Sequence, residues 1–254
     1  MKGLMKSRKQ WKWFAWGKHP GLEDFVWAGD HAPLFQRFTK WVDNGFAGLK
    51  SDSVLRSRHC SWRFWTKGTK GEVVCGLVRN SSDFHGRSFP LLYLGTGVLE
   101  EWSGNCSMLP FAFETIWKNF EYVSSARFGS IRQLNESLQL IQQPVPRWRE
   151  YQQRIYNTAN MSGASACEET VDGVNCLLKI DCNIPENLPY DVQFCQRVMS
   201  MGDFPSPPAV FIGEIDGNVA VAVIAHALTP PDFVWLWHLD PDRRTPLKQA
   251  AERG

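Results

Sequence analysis

Hydrophobic residues recur every three or four positions between Asp30 and Leu49, which predicts an amphipathic helix. Asp30 is placed to cap this helix, and Pro33 lies near its first turn. Its apolar face would hold Leu34, Phe35, Phe38, Trp41, Val42 and Phe46. The same periodicity predicts helices over 111–128, 131–142 and 147–158 and a short helix over 190–201. The first of these would turn Phe113, Ile116, Trp117 and Phe120 inward.

Short apolar and β-branched runs separated by turn residues predict two blocks of strands. A first strand follows the basic N-terminus, and runs at 61–66 and 72–78 flank Lys67-Gly68-Thr69-Lys70-Gly71, which predicts a hairpin. A third strand is predicted at 89–94. Runs at 209–215 and 219–224 flank Asp216-Gly217-Asn218 and predict another hairpin. The stretch 160–189 is small and polar and is interpreted mostly as loop.

Two strand blocks with helices before and between them favour an α+β fold, in which an antiparallel β-sheet is flanked by helices like an α/β/α sandwich. No repeat or linker marks a boundary. We expect a basic N-terminal tail at 1–12, a single domain at 13–240 and a polar C-terminal tail at 241–254.

Composition changes this picture little but excludes several classes of protein. The 254 residues carry a net charge of +2, which is too balanced for a dedicated nucleic-acid binder. The longest apolar run, Val219 to Ala225, is too short to span a membrane, and no apolar segment follows the basic start as in a secretory signal. The seven cysteines contain no CxxC pair and are typical of reduced thiols in a cytoplasmic protein.

The histidines and tryptophans are candidates for metal binding and for protein binding, respectively. His31, His59, His226 and His238 have no ligand partner at helical spacing, so no metal site and no cofactor is predicted. Most of the 12 tryptophans fall on apolar faces. Trp13, Trp27, Trp235 and Trp237 are less clearly core residues, and an exposed cluster of them would mark a protein-binding surface.

A first cluster of special residues lies between Trp16 and Val26. Its Gly17-Lys18 pair resembles part of a phosphate-binding loop, but the earlier glycine and the following Ser or Thr are missing. The simpler interpretation is a strand end that turns through His19-Pro20-Gly21, with Asp24 as a candidate acceptor for amides of that turn.

A second cluster lies between Asn80 and Leu91. Ser82, Asp83 and His85 have the residue types of a hydrolase triad, but members of a triad normally converge from separate elements. The structural interpretation is a tight connection in which Ser81 or Asp83 accepts loop amides and Gly86 takes a positive φ. Arg87 would anchor the loop by a bidentate contact with a carboxylate, or would bind a carboxylate or phosphate of a partner.

The two clusters together resemble the TagF family of type VI secretion-associated proteins. The first motif is Trp16-Gly17-Lys18-His19-Pro20 with Asp24-Phe25, followed by Trp41 in the helix and the strand Trp62-Arg63-Phe64. The second runs from Ser81 to Leu91 as Ser-Ser-Asp-Phe-His-Gly-Arg-Ser-Phe-Pro-Leu, and a weaker similarity lies at Leu228 to Phe233. Glu23 departs from the pattern, since many members have glycine there. The firm resemblance covers about residues 13–95.

The resemblance implies a cytoplasmic, non-enzymatic α+β protein that represses type VI secretion assembly after translation. The implied partner is the forkhead-associated-domain protein of the secretion system. A structural component of the apparatus and a hydrolase or phosphatase that uses the 81–88 loop are the alternatives. The candidate residues, either partner-binding or structural in the motifs, are Gly17, Lys18, Pro20, Asp24, Phe25, Ser81, Asp83, Gly86, Arg87, Phe89 and Pro90.

Overall fold

A computed structural model describes residues 10–49, 53–159, 167–172, 175–180, 209–215 and 218–239. Its nine described strands form one sheet in which every neighbouring pair is antiparallel, in the order β2-β1-β5-β4-β3-β8-β9-β7-β6. The strands are β1 Lys12–Lys18, β2 Phe25–Gly29, β3 Cys60–Lys67, β4 Val73–Arg79, β5 Leu91–Gly97, β6 Cys167–Asp172, β7 Asn175–Ile180, β8 Ala209–Ile215 and β9 Asn218–Ile224.

Helices cover both faces of the sheet, which confirms the predicted α+β fold with a single antiparallel sheet. They are α1 Pro33–Gly48, α2 Ser53–Ser57, a 3-10 helix Trp102–Met108, α3 Leu109–Ser125, α4 Ile131–Gln139, α5 Trp148–Ala159 and α6 Pro230–His238. One core lies between the sheet and α3, α4 and α5, and the other lies between the sheet and α1 and α6.

Two-sided burial explains the sequence of the central strands. Residues 73–78 of β4 and all of β5 are buried, because a helix layer lies on each side of them. A strand covered on both faces needs a continuous apolar run rather than an alternating one. Edge strand β2 instead alternates exposed and buried positions, since helices cover only one of its faces fully.

The predicted helices form with shifted ends. Phe113, Ile116, Trp117 and Phe120 are buried as predicted, but their helix begins at Leu109 and ends at Ser125. The next helix ends at Gln139, so the buried Ile141 lies beyond it. Periodicity places the apolar stripe correctly, whereas the ends depend on the residues that flank it.

Asp30 does not cap α1, contrary to the prediction. The N-cap residue is Ala32, which makes no side-chain capping bond, and Pro33 opens the helix as expected. The carboxylate of Asp30 instead accepts the backbone N–H of Trp13 at 2.9 Å. The chain leaves β2 directly before Asp30, so this side chain stays beside β1 rather than reaching the helix.

Several elements carry too weak a sequence pattern and were not predicted. These are strand β2, the one-turn α2, the 3-10 helix and α6. The interpretation of 160–189 as mostly loop is wrong for 167–172 and 175–180, which pair as the hairpin β6–β7. The helix predicted over 190–201 lies outside the described residues.

The four uncertain tryptophans do not form one exposed cluster. Trp13 and Trp237 are buried, one in each core, and Trp235 is half-buried against the α1 side. Trp27 alone among them is well exposed, on β2. In the part of the chain that the structure describes, no helix is long and apolar enough to cross a membrane.

The contact between α1 and α6 gives a stability test. A Cβ added at Gly45 would lie 2.4 Å from the Cβ of Phe233, so the helices meet where this side chain is absent. We expect Gly45→Ala to lower the free energy of unfolding by about 1–3 kcal/mol through overpacking, measured by urea denaturation. In the control Gly104→Ala, whose Cβ meets nothing within 4 Å, the change should stay below about 0.5 kcal/mol. Equal stability of the two variants would contradict this packing.

Candidate functional site: the joined loops at 17–25 and 80–90

The two sequence clusters meet where β1 ends beside the start of β5. Gly17 has φ +120°, and a Cβ there would lie 2.0 Å from the carbonyl oxygen of Pro90. Only glycine allows this approach, which brings the two backbones together at the end of the β1–β5 ladder. Gly17 therefore allows the backbones of β1 and Pro90 to approach each other. Its position does not support the interpretation of Gly17-Lys18 as a phosphate-binding loop.

The 81–89 loop is a tight hairpin. The N–H of Gly86 donates to the carbonyl of Asp83 at 2.9 Å, and the N–H of Asp83 donates to the carbonyl of Arg87 at 3.2 Å. Gly86 has φ +77°, as predicted. This is the pattern of a three-residue hairpin loop, with a turn followed by a left-handed glycine. The N–H of Phe89 bonds to the carbonyl of Ser81 and closes the base of the hairpin.

The carboxylate of Asp83 is the centre of the site. It is buried, and it accepts four hydrogen bonds. Oδ1 accepts the backbone N–H of His85 at 3.1 Å and of Arg87 at 2.9 Å. Oδ2 accepts Nε of Arg87 at 2.7 Å and Nζ of Lys18 at 2.9 Å. The predicted binding of loop amides by Asp83 is confirmed, and Lys18 reaches it from the other loop.

This environment keeps Asp83 ionised. Burial acts to raise the pKa of its carboxyl, but the hydrogen bond from Lys18, those from the backbone and side chain of Arg87 and the charge of Lys18 outweigh it. The pKa is therefore held well below its usual range. A carboxyl that is a stronger acid in the folded state than in the unfolded chain stabilises the fold above its ordinary pKa of about 3.9, and this contribution is lost as the pH falls further.

Arg87 and Phe84 join the loops at two further points. Besides its bond to Asp83, Arg87 donates through Nη2 to the carbonyl of Glu23 at 2.8 Å. Its anchor is therefore one carboxylate oxygen and one carbonyl, not the bidentate carboxylate contact predicted. The N–H of Phe84 donates to the carbonyl of Leu22 at 2.9 Å, while its ring at the hairpin tip is 67 % exposed. Glu23 has no positive φ, so the family's glycine is not needed there.

His19 links the first loop to the helix layer. Its Nδ1 accepts the N–H of Gly21 at 3.1 Å, and its Nε2 lies 2.9 Å from the carbonyl of Val123 at the end of α3. A neutral ring with hydrogen on Nε2 satisfies both contacts. Burial lowers the pKa of His19, with the bond to Val123 acting weakly in the other direction.

The remaining candidate residues lie around this network. Asp24 accepts the N–H of the adjacent Phe25, at 2.7 Å, while His19 accepts the N–H of Gly21 in the turn. The ring of Phe25 is partly exposed and contacts Phe89, with ring centroids 4.7 Å apart. Pro20 is exposed.

The triad residue types do not assemble in this loop. The carboxylate of Asp83 binds two cations and two amides rather than an imidazole, and the ring of His85 packs edge-on against Phe84. Within the described residues, no hydrogen bond joins the His85 ring to a serine. No group of three metal-ligating side chains occurs in that part of the chain either.

Comparisons with known proteins identify the region that holds both loops. The model of the family described as TagF N-terminal domain, Type VI secretion system-associated, matches residues 15–143, just over half of the chain. No curated protein matches the chain. Among solved structures, the crystal structure of PA0076 from Pseudomonas aeruginosa PAO1 is similar, with 17 % identity, a TM-score of 0.52 and coverage of 89 % of this chain and 93 % of that one. At this identity the similarity concerns the fold alone.

Replacing Asp83 tests the central network. Asp83→Asn leaves Lys18 buried without its counter-charge, so we expect the melting temperature to fall by at least about 5 °C, measured by circular dichroism at pH 7. The control Glu136→Gln removes an exposed pair with Arg132, 3.0 Å apart, and should shift it by less than about 1 °C. Similar melting temperatures for wild type and Asp83→Asn would show that the network contributes nothing to stability.

His19 predicts a second, separate pH effect. The pKa of His19 is lower in the folded state than in the unfolded chain. Its contribution to the free energy of unfolding is therefore fully present above its ordinary pKa of about 6.5. Below that pH the unfolded chain takes up the proton before the folded chain does, and the contribution is lost. We expect the free energy of unfolding to fall by up to about 1.4 kcal/mol per pH unit as the pH drops below about 6.5. His19→Gln should remove this slope in urea titrations, whereas the exposed control His85→Gln should keep it. An unchanged slope in His19→Gln would assign the effect to other groups.

Proposed function

We propose, from the premise that the chain belongs to the TagF family of type VI secretion system-associated proteins, that it is a cytoplasmic accessory protein which represses assembly of the secretion apparatus after translation. It acts by binding the system's forkhead-associated-domain protein and has no catalytic step. The observation that carries the proposal is the family match across residues 15–143, which include both loops of the site.

The construction of the site supports binding rather than catalysis. Its one buried carboxylate, Asp83, has all four acceptor positions occupied, so it cannot act as a base without breaking the loop. The groups left at the surface are aromatic rings and charged side chains on a hairpin fixed by hydrogen bonds. Such preorganised surfaces lose little conformational entropy when a partner binds.

Two parts of the candidate set have different roles in this proposal. Gly17, Lys18, Asp83, Gly86 and Pro90 hold the loops together. The remaining candidates, Pro20, Asp24, Phe25, Ser81 and Phe89, lie at or near the surface that the partner would meet. Arg87 has both roles, because its exposed side chain also binds Asp83 and the carbonyl of Glu23. The folded unit is proposed to be the predicted domain at 13–240, with the tails on either side not needed for binding.

Genetics and direct binding test the function together. We expect deletion of this protein to raise secretion of a type VI substrate and its overproduction to lower it, with transcript levels unchanged. The purified protein should bind the purified forkhead-associated-domain protein of the same secretion system in calorimetry. A forkhead-associated-domain protein from outside the system is the matched control and should not bind.

A structural component would give the opposite genetic result. If deletion abolishes secretion and the protein co-purifies in fixed proportion with baseplate or sheath subunits, the repressor proposal is wrong. Secretion that rises on deletion without any binding to the forkhead-associated-domain protein would keep repression and overturn the proposed partner.

A further inference from the structure

Among the strands that the structure describes, β2 is the outermost at one end of the sheet, and β1 is its only neighbour. The N–H of Asp30 donates to the carbonyl of Trp13 in β1 at 2.7 Å. Backbone groups alternate in direction along a strand, so Ala28 and Val26 also face β1. The N–H and C=O groups of Phe25, Trp27 and Gly29 therefore point away from the sheet, along its open edge.

The two ends of this edge are capped by side chains. At one end the N–H of Gly29 donates to Oδ1 of Asn135 in α4 at 2.9 Å. At the other, the N–H of Phe25 donates to Oδ1 of Asp24. Among the described residues, the amide of Trp27 between them has no protein acceptor. With respect to the described part of the chain, the edge is thus open at its centre, where an extended chain could pair with it.

The two faces of β2 differ. Val26 and Ala28 are buried in the core that contains Leu134 and Leu138 of α4. On the opposite face, the side chains of Phe25 and Trp27 remain 42 % and 40 % exposed.

The two exposed rings pack against the rings of Phe14, which is buried, and Trp16, which is half-buried. The centroids of Phe25 and Trp16 lie 6.0 Å apart, and those of Trp27 and Phe14 lie 5.1 Å apart. Trp16 and Trp27 are directly opposite in the β1–β2 pair. A strand added beside β2 would place every second side chain against these rings.

Charge around this surface favours a basic partner. The side chains of Glu23 and Asp24 are exposed before β2, and Asp30 follows it. Two cations of the adjoining loops, Lys18 and Arg87, both contact the carboxylate of Asp83. The carboxylate of Asp24 lies at the open edge itself, because it binds the outward N–H of Phe25.

We propose that the outer edge of β2 is a strand-addition site for an extended partner segment, which has apolar side chains at alternate positions and Lys or Arg at its ends. The segment pairs with the N–H and C=O of Trp27, its apolar side chains cover Phe25 and Trp27, and its cations meet Glu23 and Asp24. The strand-addition site rests on the proposed function in one respect: the segment is assigned to the protein that the repressor binds.

A synthetic peptide tests the edge without reference to the partner. The probe is Lys-Val-Thr-Val-Thr-Lys at about 1 mM, added to the full chain with amide resonances followed by NMR. We expect the Trp27 amide to shift and its hydrogen exchange to slow at least tenfold at saturation, with no such change for buried β4 amides. A peptide with Glu in place of Lys should bind at least threefold more weakly. No change at Trp27 would overturn the proposal.

Variants test the same edge with the forkhead-associated-domain protein. Trp27→Ala keeps the outward N–H but removes the ring, and should weaken binding about tenfold. Trp27→Pro also removes the N–H without breaking the ladder to β1, and should abolish binding. Glu23→Lys should weaken binding at least threefold. The matched controls are Tyr122→Ala, a ring 74 % exposed on α3, and Glu100→Lys, and both should bind within twofold of wild type.

The outcomes separate the site from the function. Wild-type affinity in Trp27→Ala and Trp27→Pro, with melting temperatures unchanged, would overturn the strand-addition site and leave the proposed function standing. A peptide response at Trp27 without any binding of the forkhead-associated-domain protein would overturn that partner and leave the edge site standing. Dimerisation in analytical ultracentrifugation that is lost in Trp27→Pro would assign the edge to a second copy and overturn the proposed occupant.

Discussion

The buried carboxylate of Asp83 is the constraint from which the rest of the site follows. An ionised group in a water-poor environment is costly unless its acceptor positions are filled. Here they are filled by two amides of its own hairpin, by Arg87 and by Lys18 from a segment 65 positions earlier. The carboxylate of Asp83 therefore both fixes the shape of the 81–89 hairpin and attaches that hairpin to the loop that contains Lys18.

The other contacts of the loops extend this attachment to the sheet and to one helix layer. Gly17 lets the end of β1 lie against Pro90, and His19 ties the following turn to the last turn of α3. The carbonyl of Glu23 is held by Arg87 directly before β2 begins. Strand β2 is thus positioned by the same network, and the aromatic rings that it exposes are held on a rigid support rather than on a loose edge.

This arrangement gives the family motif a physical meaning. Gly17, Lys18, Asp83 and Arg87 hold the loops together, whereas the aromatic residues Phe25 and Phe84 are exposed. Within the described residues, neither set includes a group of three metal-ligating side chains or a hydrogen bond between the His85 ring and a serine. The proposed strand addition at β2 uses a stretch where exposed rings occur together with a backbone amide that has no acceptor among the described residues.

The sequence by itself determined the α+β class, the α1 and α3 apolar faces, the two hairpins with glycine-containing turns, and the tight turn from Asp83 to Gly86. All of these depend on local periodicity or on residues a few positions apart. Among the missed elements, β2 and α6 are short and partly covered, so their sequence patterns depend on the neighbouring elements. Only the tertiary structure decided that Lys18 meets Asp83, that Asp30 serves β1 rather than α1, and that Trp27 lies at an open edge. Each of these depends on how segments that are distant in sequence lie next to each other in the fold. The spacing of residues within one segment therefore cannot predict it.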